Sequence, residues 1–136
     1  MEFTLELAQA TSTNDRYMGV SGAGTLDYCR LCDMQIQSWS PLRGLMLSHK
    51  PGSQPHPAST NDKLLAIAEA KYATPSAIAL AWLLHHPAGI VPIVGTGNVD
   101  HLIDNCAADT ISLSNQEWYE LLIAAMDLKS RAMKES

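Results

Sequence analysis

An α/β fold with parallel strands is what the sequence predicts, from three observations. Segments with a two-residue apolar period are separated by segments with helical spacing. The last strand-like run, Ile90-Val91-Pro92-Ile93-Val94, is apolar throughout and rich in β-branched residues. That run passes through Gly95-Thr96-Gly97-Asn98 directly into a helix start at Val99. Parallel strands need a crossover helix between them and are buried on both faces, so continuous apolar strands followed by helices are their sequence signature.

In chain order, Phe3, Leu5 and Leu7 alternate with Thr4, Glu6 and Ala8, the period of a half-buried strand. Thr11 to Asp15 and Gly19 to Gly24 form a polar, glycine-rich loop, after which a short helix is expected from Thr25 to Cys32. Met34 to Trp39 alternates again and stops at Ser40-Pro41, because proline has no N–H to give to a ladder. From Gly44 to Ser59 three prolines and two glycines predict a long surface loop. Ser59 or Thr60 then caps a helix whose stripe is Leu64, Leu65, Ile67 and Ala68, as far as Tyr72. Thr74-Pro75 starts another helix at once, threonine at the cap and proline in the first turn, and Pro87 limits it. The segment Ala77 to His86 is apolar nearly all round, so it belongs in the core. A third strand at Ile90 to Val94 leads to a helix from Val99 to about Ala108, and Ser114-Asn115-Gln116-Glu117 is a capping box that opens a last helix through Trp118, Leu121, Leu122 and Ala125.

With 136 residues the chain is expected to be a single domain, residues 1–136. Its 46% hydrophobic and 17% charged residues fit a folded chain, and the net charge of -5 with scattered basic residues argues against a nucleic-acid or anionic-membrane surface. The N-terminus lacks the basic and apolar regions of a signal peptide, and the apolar run Ile78 to Leu84 is ended by His85, His86 and Pro87, too short to span a membrane. A cytoplasmic protein is expected.

The strand–turn–helix at Ile90 to Asn105 is the first candidate site. The first N–H groups of a helix lack intrahelical partners and sit at the positive end of the aligned peptide dipoles, so a phosphate satisfies both. Gly95 and Gly97 permit positive φ and close backbone approach, and Asn98 is a favourable cap. The plainer alternative is an ordinary turn with a capped helix. Cys29-Arg30-Leu31-Cys32 is a C-x-x-C pair, but no further ligands stand at zinc-site spacing, His49 and His56 included. Two incidental thiols are the simpler reading, with Cys106 as a small buried hydrophobe. His85-His86 ends a buried helix, where the dipole favours a cation and capping is the expected role; Trp82, Trp118 and Met126 belong to the core; Asp127, Lys129, Arg131, Lys134 and Glu135 make a solvated helix end.

Five segments stand in an order that resembles the C-terminal half of the aldo-keto reductases. They are Gly24-Thr25-Leu26-Asp27-Tyr28-Cys29, Ser38-Trp39-Ser40-Pro41-Leu42, Thr74-Pro75-Ser76-Ala77-Ile78-Ala79-Leu80-Ala81-Trp82-Leu83, Pro92-Ile93-Val94-Gly95-Thr96-Gly97, and Leu113-Ser114 with Glu117-Trp118. The resemblance covers nearly the whole chain. It implies a (β/α)8 barrel of which the last three βα units are present, with ligands at the C-terminal strand ends. A whole barrel takes roughly 250 residues, so completion by oligomerisation is expected, as a homodimer or higher homo-oligomer.

The same resemblance implies a nicotinamide nucleotide as ligand, NADP(H) with NAD(H) left open. It sets Trp39 against the nicotinamide, Ser40 and Leu42 beside the ribose and diphosphate, Gly95, Thr96, Gly97 and Asn98 around the adenosine 2′-phosphate, and Asp104 and Asn105 at the adenine. His101 stands where the family commonly has an arginine on that phosphate, and Arg43-Gly44-Leu45 is poorer in glycine than the family's stretch. The family's catalytic aspartate, tyrosine, lysine and histidine belong to earlier strands and match no position here. The expectation is an oxidoreductase-family chain that binds the nucleotide without independent carbonyl reduction. The alternative is a non-catalytic, self-associating or protein-binding module derived from the barrel.

Overall fold

The computed structural model describes residues 25–42 and 58–132. The expected strand at Phe3 to Leu7, the loop before Thr25, most of the loop from Gly44 to Ser59 with His49 and His56, Arg43, and Lys134 and Glu135 lie outside the described residues, as do the side chains of Met126, Asp127, Lys129 and Arg131. The elements are α1 (Thr25–Leu31), β1 (Gln37–Trp39), α2 (Ala58–Ala70), α3 (Pro75–Leu84), β2 (Val91–Ile93), α4 (Val99–Cys106), a 3-10 turn (Ala107–Thr110) and α5 (Asn115–Ala132).

α3 lies at the centre because its sequence has no polar face. Every residue from Ala77 to Leu83 is buried, and around them pack Leu64, Ile67 and Ala68 of α2, Leu121 of α5, Ala108 and Leu113. The helix starts as the sequence requires: Thr74 is extended, its hydroxyl accepts from the Ala77 N–H at 3.2 Å, and Pro75 follows. Its end is closed by tryptophan. The Trp118 indole N–H donates to the Trp82 carbonyl at 2.9 Å, the Trp82 indole N–H donates to the Trp118 carbonyl at 3.1 Å, and the two rings stack 4.9 Å apart. Trp82 sits in the last turn of α3, where carbonyls run out of intrahelical donors, so the indole of α5 replaces the missing helical N–H.

α5 opens on the expected capping box. The Ser114 hydroxyl accepts from the Glu117 N–H at 3.2 Å, and the Glu117 carboxylate accepts from the Ser114 N–H at 2.7 Å. Glu117 also pairs with Lys71 at 3.0 Å, and the Lys71 ammonium donates to the Ser112 carbonyl at 2.9 Å, which holds the end of α2 to the start of α5. The pair of Lys63 with Glu120 at 3.0 Å adds a second tie along the same two helices. Pairs open to water, as Lys63–Glu120 is and Lys71–Glu117 partly is, contribute at most about 1 kcal/mol each, so the α2–α5 contact rests mainly on its apolar residues.

Two helices stop on left-handed residues that are not glycine. In α1 the Met34 N–H reaches the Cys29 carbonyl at 2.8 Å and the Asp33 N–H reaches Arg30 at 3.3 Å, with Asp33 at φ 52°. α2 repeats the pattern with Ala73 to Ala68 at 2.9 Å, Tyr72 to Glu69 at 3.2 Å, and Tyr72 at φ 53°. Glycine normally fills this place because any Cβ is crowded there.

β1 and β2 pair in parallel, with Gln37 opposite Val91, Ser38 opposite Pro92 and Trp39 opposite Ile93. Gly89, at φ 61°, turns the chain from α3 into β2, and the ladder begins with the Val91 N–H on the Ile36 carbonyl at 2.9 Å. One sheet face carries Ile36, Ser38 and Ile90, all buried. The other carries Gln37 and Val91, then Trp39 and Ile93, and is exposed at Trp39 (44%) and Ile93 (45%). Covered faces on both sides are the rule for parallel sheets; among the described residues this sheet has a cover on one side.

Three local expectations are corrected. Leu65, placed in the apolar stripe of α2, is exposed, because the packed face is set by Leu64, Ile67 and Ala68 at three- and four-residue spacing. Cys106 is exposed, not buried: it ends α4, a helix with no buried residue. His86 does not act as a cation at the end of α3. Its Nδ1 accepts from the Ala88 N–H at 3.1 Å, a bond only the neutral ring makes, and its pKa is lowered by burial and then by the charge of Arg30.

Replacing Trp118 by phenylalanine keeps the stack but removes the indole N–H from the Trp82 carbonyl. A loss of about 1 kcal/mol in urea unfolding is expected, the net worth of one hydrogen bond; an unchanged midpoint refutes the role assigned to the indole N–H. Tyr72→Gly is expected to raise stability by about 1 kcal/mol, since it removes the left-handed penalty from a side chain that is 99% exposed and packs on little. A lower midpoint counts against that strain.

Acidification acts twice. The unfolded chain protonates His86 near its ordinary value of about 6.5, whereas the folded chain resists, so stability present above that pH falls as pH drops towards the folded value. Glu117 follows at lower pH. Burial pushes its carboxyl up, but the Ser114 backbone N–H, the Lys71 ammonium and the Ser114 hydroxyl outweigh this and hold it below the ordinary carboxylate value. Its contribution is complete above about pH 4.3 and is lost as pH falls through the folded pKa. Unfolding midpoints measured from pH 7.5 to 5 should decline in the parent and decline less in His86→Asn, whose amide oxygen still accepts the Ala88 N–H.

Candidate functional site

Parallel pairing makes both strands leave the sheet at the same end. Trp39 and Ile93 are register partners in the last row, so the exits Ser40-Pro41-Leu42 and Val94 to Asn98 begin side by side, one strand spacing of about 4.8 Å apart. This row is the edge of the candidate site. Trp39 presents its ring on the uncovered face of the sheet, next to Ile93.

The first exit is bent and pinned. Ser40 takes φ 49°, a left-handed conformation costing a non-glycine residue about 1–2 kcal/mol. Directly after it Pro41 is buried and Leu42 packs on the core around α3. The apolar anchor of Pro41 and Leu42 therefore holds the strained Ser40, and with it the direction of Trp39. Sequence reading marked Ser40 and Leu42 but took Pro41 only as a strand stop; the apolar residues on both sides of Ser40 are the signal for its second role.

The second exit is a helix entry built as expected, with one correction. Val94 packs on the core, the Asn98 N–H donates to the Thr96 hydroxyl at 3.1 Å, and the Asn98 side chain accepts from the Asp100 N–H at 2.8 Å. Neither Gly95 nor Gly97 has the positive φ that the sequence allowed for, and a Cβ built on either meets nothing within 4 Å. Backbone geometry and internal packing therefore leave both positions open to a side chain. What the two glycines create is a bare ledge of main chain along the turn, the close-approach half of the expectation.

The first intrahelical bond of α4 runs from the Leu102 N–H to the Asn98 carbonyl at 3.1 Å. Of the N–H groups before it, those of Asn98 and Asp100 are taken by side chains, which leaves Val99 and His101 at the positive end of the helix. His101, Asp104 and Asn105 share one face of α4 by their three- and four-residue spacing, His101 exposed and the other two half-buried. From Ile90 to Thr110 the sequence contains Asp100, Asp104 and Asp109 but no lysine or arginine. The donors this turn presents are main-chain N–H groups and the His101 ring, beside the charge of Asp100.

The structure thus brings Gly95 to Asn98, His101, Asp104 and Asn105 together on one turn and helix, beside the strand exit that carries Trp39, Ser40 and Leu42. Among the described residues there is no cluster of three or more histidine, cysteine or acidic side chains fit for a metal, and no helix long and apolar enough to cross a membrane.

The family model of the aldo/keto reductase family matches residues 19–124. A 6-dehydroglucose reductase of Novosphingobium aromaticivorans is 32% identical over 102 residues, covering 75% of this chain and 33% of that protein. Another of Agrobacterium fabrum is 33% identical over 104 residues, with 76% and 33% covered. Among solved structures, that of the thermostable aldo-keto reductase Tm1743 in complex with the inhibitor epalrestat aligns with a TM-score of 0.62 and 35% identity, over 74% of this chain and 33% of that one. The chain spans about a third of the length of these relatives. With residues 19–124, most of its length, matched by that family model, the chain belongs to the aldo/keto reductase family of oxidoreductases.

Proposed function

We propose that the paired strand exits bind a nicotinamide dinucleotide and that residues 1–136 act as one domain, the last βα units of a (β/α)8 barrel. The observation that carries this reading is the register of Trp39 with Ile93, which sets an exposed indole beside a turn with bare main chain and unpaired helix N–H groups. Those are the two things a dinucleotide needs: a flat apolar face for a ring and donors for phosphate oxygens. When bound, the nucleotide supplies or accepts the hydride. The chain's own part is to stack the ring on Trp39, to line the path with Ser40 and Leu42, and to hold phosphate at Gly95, Thr96, Gly97 and Asn98, with Asp104 and Asn105 at the far end.

NADP(H) is the nucleotide the family resemblance points to, and NAD(H) is kept beside it. The stretch without lysine or arginine supports little discrimination, because a 2′-phosphate gains most from a guanidinium and here meets His101 and Asp100. Catalysis needs a proton donor to the carbonyl, and the family's tetrad matches no residue of this chain. The proposed activity is therefore nucleotide binding in the cytoplasm without carbonyl reduction by these residues alone.

One observation favours a second clause. The uncovered sheet face and the two-stranded sheet leave strand edges and Trp39, Ile93 and neighbouring apolar groups without cover among the described residues, and such edges pair with further strands. Self-association into a homodimer or larger homo-oligomer is the proposed means; taken without nucleotide binding, it is the non-catalytic module.

Titrating NADPH and NADH while following nucleotide fluorescence should give saturable binding of both, within about tenfold of each other. Trp39→Ala is expected to weaken it about tenfold, the 1.4 kcal/mol that stacking and burial of one ring supply. Gly97→Ala should not lower the unfolding midpoint, since the added methyl meets no protein atom and restricts the unfolded chain, yet it should weaken binding. The absence of saturable binding removes the nucleotide reading, and a strictly monomeric mass by sedimentation removes the self-association.

A further inference from the structure

The C-x-x-C pair is the feature that the site above does not use. Cys29 lies in the last turn of α1, half-buried, and Cys32 stands one turn on, exposed; neither is in a disulfide. The helical path extends over both, because the Cys32 N–H still reaches the Tyr28 carbonyl at 2.9 Å. Helix geometry sets the Cα atoms of residues three apart about 5 Å from each other, inside the range a disulfide accepts. The Cβ atoms are the constraint: about 5–6 Å apart on a helix, against about 4 Å in a disulfide. A bridge therefore forms only if the last turn tightens, and it is strained and easily reduced when it does.

That turn is where α1 has least to lose. Cys32 is followed at once by Asp33 at φ 52°, and the carbonyl of Cys29 is held from outside the helix by the Met34 N–H at 2.8 Å. The helix already breaks at the next residue, Asp33, and one bridging cysteine is exposed where a small molecule reaches it.

We propose that Cys29 and Cys32 form a thiol-exchange site for small disulfides of the glutathione type. The exposed Cys32 thiolate attacks one sulfur of glutathione disulfide; the S–S bond breaks, one glutathione leaves as thiolate and takes the proton that Cys32 gave to solvent. Cys29 then attacks the Cys32 sulfur, the mixed disulfide breaks, and the second glutathione leaves and is protonated in the same way. Two protein thiols are oxidised and one glutathione disulfide is reduced to two glutathiones. The reverse exchange restores the pair. This site is independent of the nucleotide reading.

Cys106 supplies the control, as an exposed thiol with no neighbour at this spacing. The full chain is incubated with glutathione disulfide and examined by intact mass and peptide mapping. Expected is a persistent glutathione adduct on Cys106, and a peptide holding Cys29 and Cys32 that has lost two hydrogens and carries no adduct. In Cys29→Ser the adduct on Cys32 should persist, and in Cys32→Ser the half-buried Cys29 should react at least tenfold more slowly than Cys106. A persistent adduct on Cys32 in the parent, or a free Cys32 beside a fully modified Cys106, overturns the proposal.

Discussion

Each tryptophan of the Trp82–Trp118 pair gives its indole N–H to the other's carbonyl, and the position of α3 follows from that exchange. The last carbonyls of a helix lack intrahelical donors and take them from water or from another element; at the end of α3 Leu84 and His85 are open to water, while the Trp82 carbonyl is received by Trp118. Trp118 closes it from α5 while its ring covers Trp82, and His86 leans on the same indole with ring centroids 5.8 Å apart. Immediately beyond, His86 accepts the Ala88 N–H and Gly89 turns the chain into β2. The direction of β2, and therefore of the turn at Gly95 to Asn98, is inherited from the place where α3 ends.

The exit of β1 is anchored to the same core by a different route. Leu42 and Val94 both pack against the cluster around α3, one from each exit. The two loops do not need a hydrogen bond between them to keep their spacing, because each is referred to the same buried helix and to the ladder between β1 and β2. Ser40 shows the consequence: its left-handed backbone is maintained between a paired strand and the buried Pro41. Strain of this size persists where its surroundings over-determine it, which is how strand ends that carry function are commonly built.

Much of this was legible in the sequence, for reasons that differ by element. Three caps were legible because they are local chemistry: Thr74-Pro75, Asn98 and the Ser114–Glu117 box each satisfy donors within three residues of themselves, and each is found as read; the cap read at Ser59 or Thr60 is not found, since α2 already begins at Ala58. The burial of α3 was legible because nothing in it is polar. The two described strands were read in the right places but too long, Met34 to Trp39 against Gln37–Trp39 and Ile90 to Val94 against Val91–Ile93, since the apolar pattern runs beyond the residues that pair. The reciprocal tryptophan bonds, the neutral His86 and the exposure of Cys106 depend on which elements meet, and periodicity carries no information about that. At the site, the sequence marked the residues of both exits; that Trp39 and Ile93 share a row, and that Pro41 is the pin beneath Ser40, came from the pairing and the packing.

The composition of the turn limits how it recognises an anion. A site that relies on lysine and arginine gains affinity from fixed charge and loses it in salt; the stretch from Ile90 to Thr110 has neither residue. Its donors are peptide N–H groups at the start of α4, whose positive potential is offset in the first turn by Asp100 and supplemented only by His101. The proposed binding would therefore draw most of its energy from uncharged contacts, the Trp39 ring, the bare main chain at Gly95 and Gly97, and the apolar groups of Leu42 and Ile93. Such contacts recognise shape over a long ligand better than charge at one end of it. A dinucleotide with a flat ring reaching one strand exit and a phosphate reaching the other suits that arrangement, whereas a small lone anion would meet only the weaker half of it.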